Sequence, residues 1–165
     1  MSETLNQPPG GNVVFMRRVI ELSRTSMHAL NGGPFGALVI KGDEVISEGS
    51  NSVTLWNDPT AHAEVVAIRR ACTALNTFQL TGCDIYSSCE PCPMCLGAIY
   101  WARPRAVYFA GERTDAAMAG FDDALIYEEL PWPPHKRSIP MIQMMREQAV
   151  EVLKEWNAKP DKTRY

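Results

Sequence analysis

The sequence predicts an α/β fold, a three-layer α/β/α sandwich in which helices cover both faces of a mixed central sheet. Segments with helical and strand-like periodicity alternate in the order α-β-β-α-β-α-β over residues 12–110. The first two strands flank the turn Gly42-Asp43, whereas strands separated by a helix imply parallel crossovers. A chain of 165 residues suits one domain, so we expect a flexible tail over residues 1–11 and a single domain over 12–165.

The first helix is expected to begin after Asn12, a preferred capping residue, and to run to about Leu30, before Asn31-Gly32-Gly33-Pro34 ends it. Apolar residues recur along it at a spacing of three to four, which predicts one buried face. That face comprises Phe15, Met16, Val19, Ile20, Met27 and Leu30.

The following elements are short and alternate between the two periodicities. A polar loop over residues 52–60 separates the first two strands from the second helix, whose buried side is expected to carry Val65, Ile68, Cys72 and Leu75. Pro104 must follow the end of the third helix. The predicted elements are strands at Gly36–Ile40 and Glu44–Glu48, a helix from His62 to about Leu75, a strand around Ile85-Tyr86, a helix from Cys92 to about Ala102 and a strand at Ala106–Ala110.

Beyond residue 110 the pattern is less regular. We expect short helices at Thr114–Ala119 and Ala124–Leu130, then a stiff connector at Pro131–Pro134. Ile139–Met144 is predicted as a short strand. A last helix is predicted over Met145–Ala158, with Ala149, Val152, Leu153 and Trp156 on one side.

A metal-binding pattern dominates the chemistry of the sequence. His62-x-Glu64 is followed, one helix and one strand later, by Pro91-Cys92-x-x-Cys95, the spacing found in zinc deaminases. Zn²⁺ prefers sulfur and imidazole nitrogen in a tetrahedron, and a catalytic site leaves one position for water. Cys92, Cys95 and His62 are therefore the predicted zinc ligands, and Glu64 is the predicted proton carrier.

Each part of this pattern has a simpler interpretation. A lone Cys-x-x-Cys can be a redox pair or half of a structural zinc site. Cys89 precedes Cys92 by three residues and would make the site closed and non-catalytic if it were the fourth ligand. That alternative leaves Glu64 without a role. Cys72 and Cys83 are most simply core thiols or thiols without a role in the site.

Composition narrows the classes of partner. Net charge is −3, and lysine and arginine are scattered, whereas nucleic-acid-binding proteins usually carry a basic stripe. We therefore expect no nucleic-acid partner. Met1–Gly11 lacks a basic region and an apolar run, and no stretch is long and apolar enough to cross a membrane, which predicts a cytoplasmic protein without a membrane partner.

The sequence resembles the cytidine-deaminase superfamily and, within it, the bacterial guanine deaminases, zinc enzymes that turn guanine into xanthine and ammonia. The resemblance covers nearly the whole chain and is weakest at Met141–Lys162. The residues that carry the resemblance are Gly32–Ala37, Asn57–Glu64, Ser88–Pro104, Thr114–Ala117 and Gly120–Asp123. The first three of these segments overlap with what tRNA adenosine deaminases also show, whereas the Trp101 region and the Gly-Phe-Asp-Asp turn point to the guanine enzymes.

The resemblance implies further roles. Asn51 and Asp123 would hold the purine, with Ala63 and Phe35 lining the same site, and the terminal Tyr165 would close over it. It also implies a homodimer in which about residues 140–165 are exchanged between subunits.

These implied roles have alternatives. Asn51 can serve as a loop cap and Asp122 or Asp123 as a helix cap, while Phe35 and Trp101 suit a core. A tRNA-specific adenosine deaminase, or a deaminase of another small aminopurine, pyrimidine or triazine, shares the metal pattern. These substrate alternatives remain open from the sequence.

Overall fold

The computed structural model describes Gly10–Arg164, so most of the predicted tail and Tyr165 lie outside the described residues. Its centre is a four-stranded sheet in the order β2-β1-β3-β4, with β1 antiparallel to β2 and β3, and β3 parallel to β4. This confirms the predicted mixed sheet. The elements up to residue 118 are α1 (Val13–His28), β1 (Gly36–Lys41), β2 (Glu44–Ser50), α2 (Val53–Trp56), α3 (Ala63–Leu75), β3 (Cys83–Cys89), α4 (Pro93–Ala102), β4 (Ala106–Gly111) and α5 (Arg113–Met118).

The two faces of the sheet carry separate apolar cores. Successive strand side chains point to opposite faces, so Leu38 and Tyr86 pack under α1 while Val39 and Ile85 pack under α3 and α4. Helices on both faces of one sheet confirm the predicted three layers.

Helix α1 begins as predicted, because the Asn12 side chain accepts a hydrogen bond from the backbone N–H of Val14 at 2.8 Å. Its predicted buried face is wrong beyond Val19, since Leu30 is 88% exposed and Ser23 and Ser26 are buried instead. Ile20 and Met27 are exposed as well. The helix approaches the sheet so closely that a Cβ at Gly36 would lie 2.8 Å from the carbonyl oxygen of Val19. Only small side chains fit where backbones meet this closely, which explains the buried serines.

A second close approach joins β2 to α3. A Cβ at Gly49 would lie 2.2 Å from the carbonyl oxygen of Ala63 and 2.6 Å from the backbone nitrogen of Ala67. Because no side chain intervenes, the backbone of the first turn of α3 rests directly on the strand. Ser47 reinforces this contact by donating a hydrogen bond to the carbonyl of Ala67 at 2.7 Å.

The segment that leads into α3 is more ordered than the predicted loop. It contains the short helix α2, and Asn57 ends that helix in the left-handed conformation, at φ +50°. The Asp58 carboxylate then accepts hydrogen bonds from the backbone N–H of Thr60 at 2.8 Å and from its hydroxyl at 2.7 Å. These bonds fix the turn that delivers His62 to the start of α3.

The chain divides into two compact units, Met1–Asp123 and Ala124–Tyr165. We call their described parts the sheet unit (Gly10–Asp123) and the C-terminal unit (Ala124–Arg164). The prediction of a single domain over residues 12–165 stays a prediction. No helix among the described residues is long and apolar enough to cross a membrane.

The C-terminal unit contains α6 (Ala124–Glu129), a turn of 3₁₀ helix at Pro134–Lys136 and α7 (Arg146–Ala158). The predicted strand at Ile139–Met144 is wrong, because the backbone there is irregular and pairs with no strand. Pro140 removes one donor from any ladder, and the apolar side chains that suggested a strand are exposed.

Candidate metal centre and surrounding pocket

The three predicted zinc ligands lie together where two helices begin. His62 is the N-cap of α3, Cys92 is the N-cap of α4, and Cys95 lies in the first turn of α4. The ligand atoms of the three residues all lie within 4.8 Å of one another. Nδ1 of His62 is 3.6 Å from Sγ of Cys92 and 3.5 Å from Sγ of Cys95. The partial positive charge of helix N-termini favours thiolates at these positions.

Cys89 is not part of this cluster. Its thiol points to the carbonyl of Glu112 at 3.6 Å, and it is absent from the group of side chains that could share a metal ion among the described residues. The geometry therefore contradicts the alternative of a closed, four-ligand structural site. Two sulfurs and one imidazole nitrogen are the donor set that suits a tetrahedral Zn²⁺ with one open position.

Glu64 lies beside the cluster and is almost completely buried, with 6% of its surface exposed. Its Oε2 atom is 3.4 Å from Sγ of Cys95, and its Oε1 atom accepts a hydrogen bond from the hydroxyl of Ser87 at 3.0 Å. Burial raises the pKa of this carboxyl above its ordinary value, because the charged form is desolvated. A carboxyl beside these three side chains is suited to accept a proton and to release it again.

The ionisable ligands perturb one another. The pKa of Cys92 is lowered to about 4, chiefly because the Cys95 thiol hydrogen-bonds to it and also because of the neighbouring His62. The same bond, together with burial and the charge of Glu64, raises the pKa of Cys95. The pKa of His62 is raised by its hydrogen bond to Cys92. Bound Zn²⁺ would deprotonate both thiols outright, since its charge outweighs these effects.

Asn51 lies just past β2, as predicted, and is 7% exposed. Its Oδ1 atom accepts from the backbone N–H groups of Gly33 and Val53, each at 3.3 Å. A Cβ at Gly32, whose φ is +157°, would lie 2.6 Å from that same oxygen. The residue thus caps the loop, and its amide nitrogen donates to no acceptor among the described residues. The oxygen already accepts two hydrogen bonds, so the amide nitrogen is the group left for another partner.

Asp123 is near enough to the metal cluster for the charge of Cys92 to affect it. Partial burial is the first cause of its raised pKa, and the negative charge of Cys92 is the second. Asp122 is exposed. That Asp123 binds the substrate stays a prediction.

Two aromatic rings from distant segments of the chain pack against each other. Phe35 and Phe121 meet edge to face with their ring centroids 4.9 Å apart. A Cβ at Gly33 would lie 3.2 Å from the Phe121 ring and 3.3 Å from the Phe35 ring. Phe35 is partly buried against the core under α3, whereas Trp101 is 64% exposed and is not a core residue. The alternative of a core role therefore holds in part for Phe35 and fails for Trp101.

Ala63 is the first residue of α3 and is completely buried. Its backbone N–H is one of the first-turn donors that a helix leaves without an internal partner, and no described residue accepts from it. Tyr165 lies outside the described residues. Cys72 and Cys83 pack in the core under α3, as predicted.

Ser87, which bonds to Glu64, is not among the residues predicted for the site. Ile85, Ser87 and Cys89 alternate along β3 and share the face that packs under α3. A hydroxyl on the otherwise apolar face of the strand was the available signal, because a buried hydroxyl needs a hydrogen-bond partner.

Comparisons with known proteins agree with this geometry. Residues 12–111 match the family described as "Cytidine and deoxycytidylate deaminase zinc-binding region". The chain is 51% identical to a guanine deaminase of Bacillus subtilis (strain 168) over 92% of its own length and 97% of the relative's. A crystal structure of the guanine deaminase from Bacillus subtilis superposes with a TM-score of 0.91 at 49% identity, covering 94% of this chain and 99% of that one.

Two further relatives differ in how much of the chain they match. A solved guanine deaminase from Nitrosomonas europaea has a TM-score of 0.64 at 30% identity, over 91% of this chain and 86% of that one. A tRNA-specific adenosine deaminase of Aquifex aeolicus (strain VF5) is 48% identical over only 47% of this chain and 51% of its own. The similarity to the guanine deaminases extends into the C-terminal unit, whereas the similarity to the tRNA-specific adenosine deaminase involves about half of the chain.

Proposed function

The chain belongs to the cytidine and deoxycytidylate deaminase family, and from this premise we propose that it is a zinc-dependent guanine deaminase, which converts guanine and water into xanthine and ammonia. The observation that carries the proposal is the similarity to guanine deaminases, which runs through both units and includes the turn at Gly120–Asp123. The net charge of −3 also favours a free purine over a tRNA.

We propose Zn²⁺ as the metal because the donor set of His62, Cys92 and Cys95 fits it and leaves one position for water. Zinc held there would lower the pKa of a bound water from ~15.7 towards ~7. Glu64 would carry the protons of the reaction. It accepts one from water and donates to N3 of the ring and then to the departing amine, so that C2 exchanges its amino group for oxygen.

The purine would be held by two donors that have no acceptor among the described residues and by one carboxylate. The amide nitrogen of Asn51 and the backbone N–H of Ala63 are donors, which suit the acceptor atoms O6 and N7 of guanine. The carboxylate of Asp123 is an acceptor, which suits N–H groups of the same ring. Phe35, packed against Phe121, would form an apolar wall, and Tyr165 would close the site.

We propose that the enzyme is a homodimer whose C-terminal segment is exchanged between subunits. The C-terminal unit supports this, because none of its described side chains is buried and many of its apolar ones are exposed. A segment of this length cannot bury a core of its own. A second copy of the chain would supply the missing surface.

Incubating the zinc-loaded protein with guanine, and following the ultraviolet change to xanthine, tests the proposal. Adenine, cytosine and cytidine in the same assay test its specificity, and tRNA binding at low salt tests the remaining alternative. If the protein deaminates another base but not guanine, the substrate assignment is overturned. Turnover that survives removal of zinc would overturn the role of the metal.

A further inference from the structure

We infer that Ser87 is a positioning residue that fixes the carboxylate of Glu64 in the orientation needed for proton transfer. The inference rests on the proposed function and extends it to a residue outside the metal-binding pattern. Ser87 Oγ donates to Glu64 Oε1 at 3.0 Å, and the two residues are 2% and 6% exposed. A hydrogen bond this deeply buried is shielded from competition with water.

Ser87 is held rigidly by the sheet. It lies in β3, an interior strand, where it pairs with Ala37 of β1 on one side and Phe109 of β4 on the other. Its backbone therefore cannot shift without disrupting both neighbouring ladders. The Ser87 hydroxyl contacts Glu64 from β3, whereas Cys95 contacts it from α4.

The two oxygens of Glu64 thus have different surroundings. Oε1 is anchored by Ser87, and Oε2 faces Sγ of Cys95, 3.4 Å away. A glutamate side chain has three rotatable bonds, so it can adopt several orientations, and fixing one of them costs conformational entropy. Anchoring one oxygen selects the orientation in which the other faces the metal ligands.

Binding of zinc increases the importance of this bond. A cysteine that coordinates a metal is a thiolate and has no proton to donate. Cys95 then ceases to be a donor to Glu64, and Ser87 becomes the one side-chain donor to that carboxylate among the described residues. The orientation of Glu64 in the working enzyme therefore depends on a serine hydroxyl.

The test compares Ser87→Ala with Ser47→Ala. Ser47 is a matched control, because it is also a buried strand serine that donates to α3, at 2.7 Å, but to the carbonyl of Ala67 rather than to Glu64. Ser87→Thr restores the hydroxyl. We would measure kcat and KM for guanine, zinc content, the thermal unfolding midpoint and the Glu64 conformation in crystals of each variant.

For Ser87→Ala we expect kcat to fall by about 10- to 100-fold, the loss that misplacement of a reacting group produces, while KM changes by less than about threefold. Zinc content stays at the wild-type level, and crystals show Glu64 in more than one orientation. Ser47→Ala keeps kcat within about twofold even if it unfolds at a lower temperature. Ser87→Thr recovers most of kcat.

The inference is overturned if Ser87→Ala turns over guanine at the wild-type rate, if it loses zinc, or if Ser47→Ala lowers kcat equally. A failure of the proposed function gives a different result, namely wild-type protein that does not deaminate guanine. The crystallographic comparison of Glu64 still tests the role of Ser87 in that case, because it requires no substrate.

Discussion

The two units of the chain contain similar helices, but these helices have different surroundings. In the sheet unit, α3 packs an alanine-rich face against β2, and Ala63, Ala67 and Ala71 are completely buried. In the C-terminal unit, α7 has an equally regular apolar stripe, yet Val152, Leu153 and Trp156 remain 62%, 65% and 45% exposed.

This difference shows that an amphipathic pattern indicates a surface to be covered but not what covers it. In the sheet unit the covering surface is the sheet itself, and the same packing brings the metal ligands together. The C-terminal unit contains no such surface, so its stability must come from elsewhere. Catalysis and core stability are therefore expected to respond to mutation in the sheet unit, and oligomeric state to mutation in the C-terminal unit.

The largest effect is expected from Glu64→Gln, since the chemistry resides in the sheet unit. The amide keeps the shape of the side chain but cannot carry protons, so kcat should fall by ~10²- to 10⁴-fold. Zinc content and the unfolding midpoint should stay at wild-type values, because Glu64 is not a ligand. Steady-state kinetics and metal analysis check this, and wild-type turnover by the variant would contradict the assignment.

The metal ligands give the next effect. Cys92→Ser should lose zinc and activity together, because serine is a poor ligand in a sulfur-rich site. Cys89→Ala should keep a full complement of zinc, since its thiol points to the carbonyl of Glu112. Metal analysis of the two purified variants distinguishes them, and loss of zinc from Cys89→Ala would revive the closed-site alternative.

The stability of the sheet unit should depend on its cores. Ile85 is completely buried between the sheet and α3, so Ile85→Ala should lower the free energy of unfolding by ~2–5 kcal/mol. Val14 is 67% exposed on α1, and Val14→Ala should cost less than ~0.5 kcal/mol. Denaturant unfolding of both variants measures the contrast.

Oligomeric state should respond to the C-terminal unit. Leu153→Asp places a charge in the apolar stripe of α7 and should shift the proposed dimer towards monomer in light-scattering measurements. Lys154→Asp is the control, because it introduces an aspartate at the next residue and breaks only an exposed ion pair with Glu151. A dimer that withstands Leu153→Asp would contradict the exchange of this segment.

The smallest effect is expected at the start of α1. Asn12→Ala removes the acceptor of the Val14 N–H and should cost ~1 kcal/mol, as is typical for loss of a helix cap. The thermal unfolding midpoint should fall by a few degrees while kcat stays unchanged. A change in kcat would show that the α1 side of the sheet affects the active site.

The sheet unit could be predicted well from the sequence because its signals are local. The ligand pattern requires particular residue types at particular spacings, and the helices and strands around it keep clean periodicities. The placement of His62, Cys92 and Cys95 at helix starts followed directly from the positions of the elements. Asn12 and the turn at Gly42 likewise depend only on their neighbours.

The remaining features depend on contacts between distant segments. The partnership of Ser87 with Glu64 joins residues 23 positions apart through the packing of α3 on the sheet. The exposure of Leu30 and the irregular backbone at Ile139–Met144 were missed for a related reason. In both places apolar residues were present, but their side chains are exposed in the described chain, and residues 139–144 pair with no strand.

The contact at Gly49 has a consequence for anyone who alters this protein. At this point only the hydrogen atom of Gly49 separates β2 from the first turn of α3. That turn carries Ala63 and follows His62 directly. A saturation library would therefore score position 49 as essential, although glycine has no group that could react with, bind or recognise anything. An inactive variant there would reflect a displaced helix, and alanine, usually the mildest replacement, would already be too large.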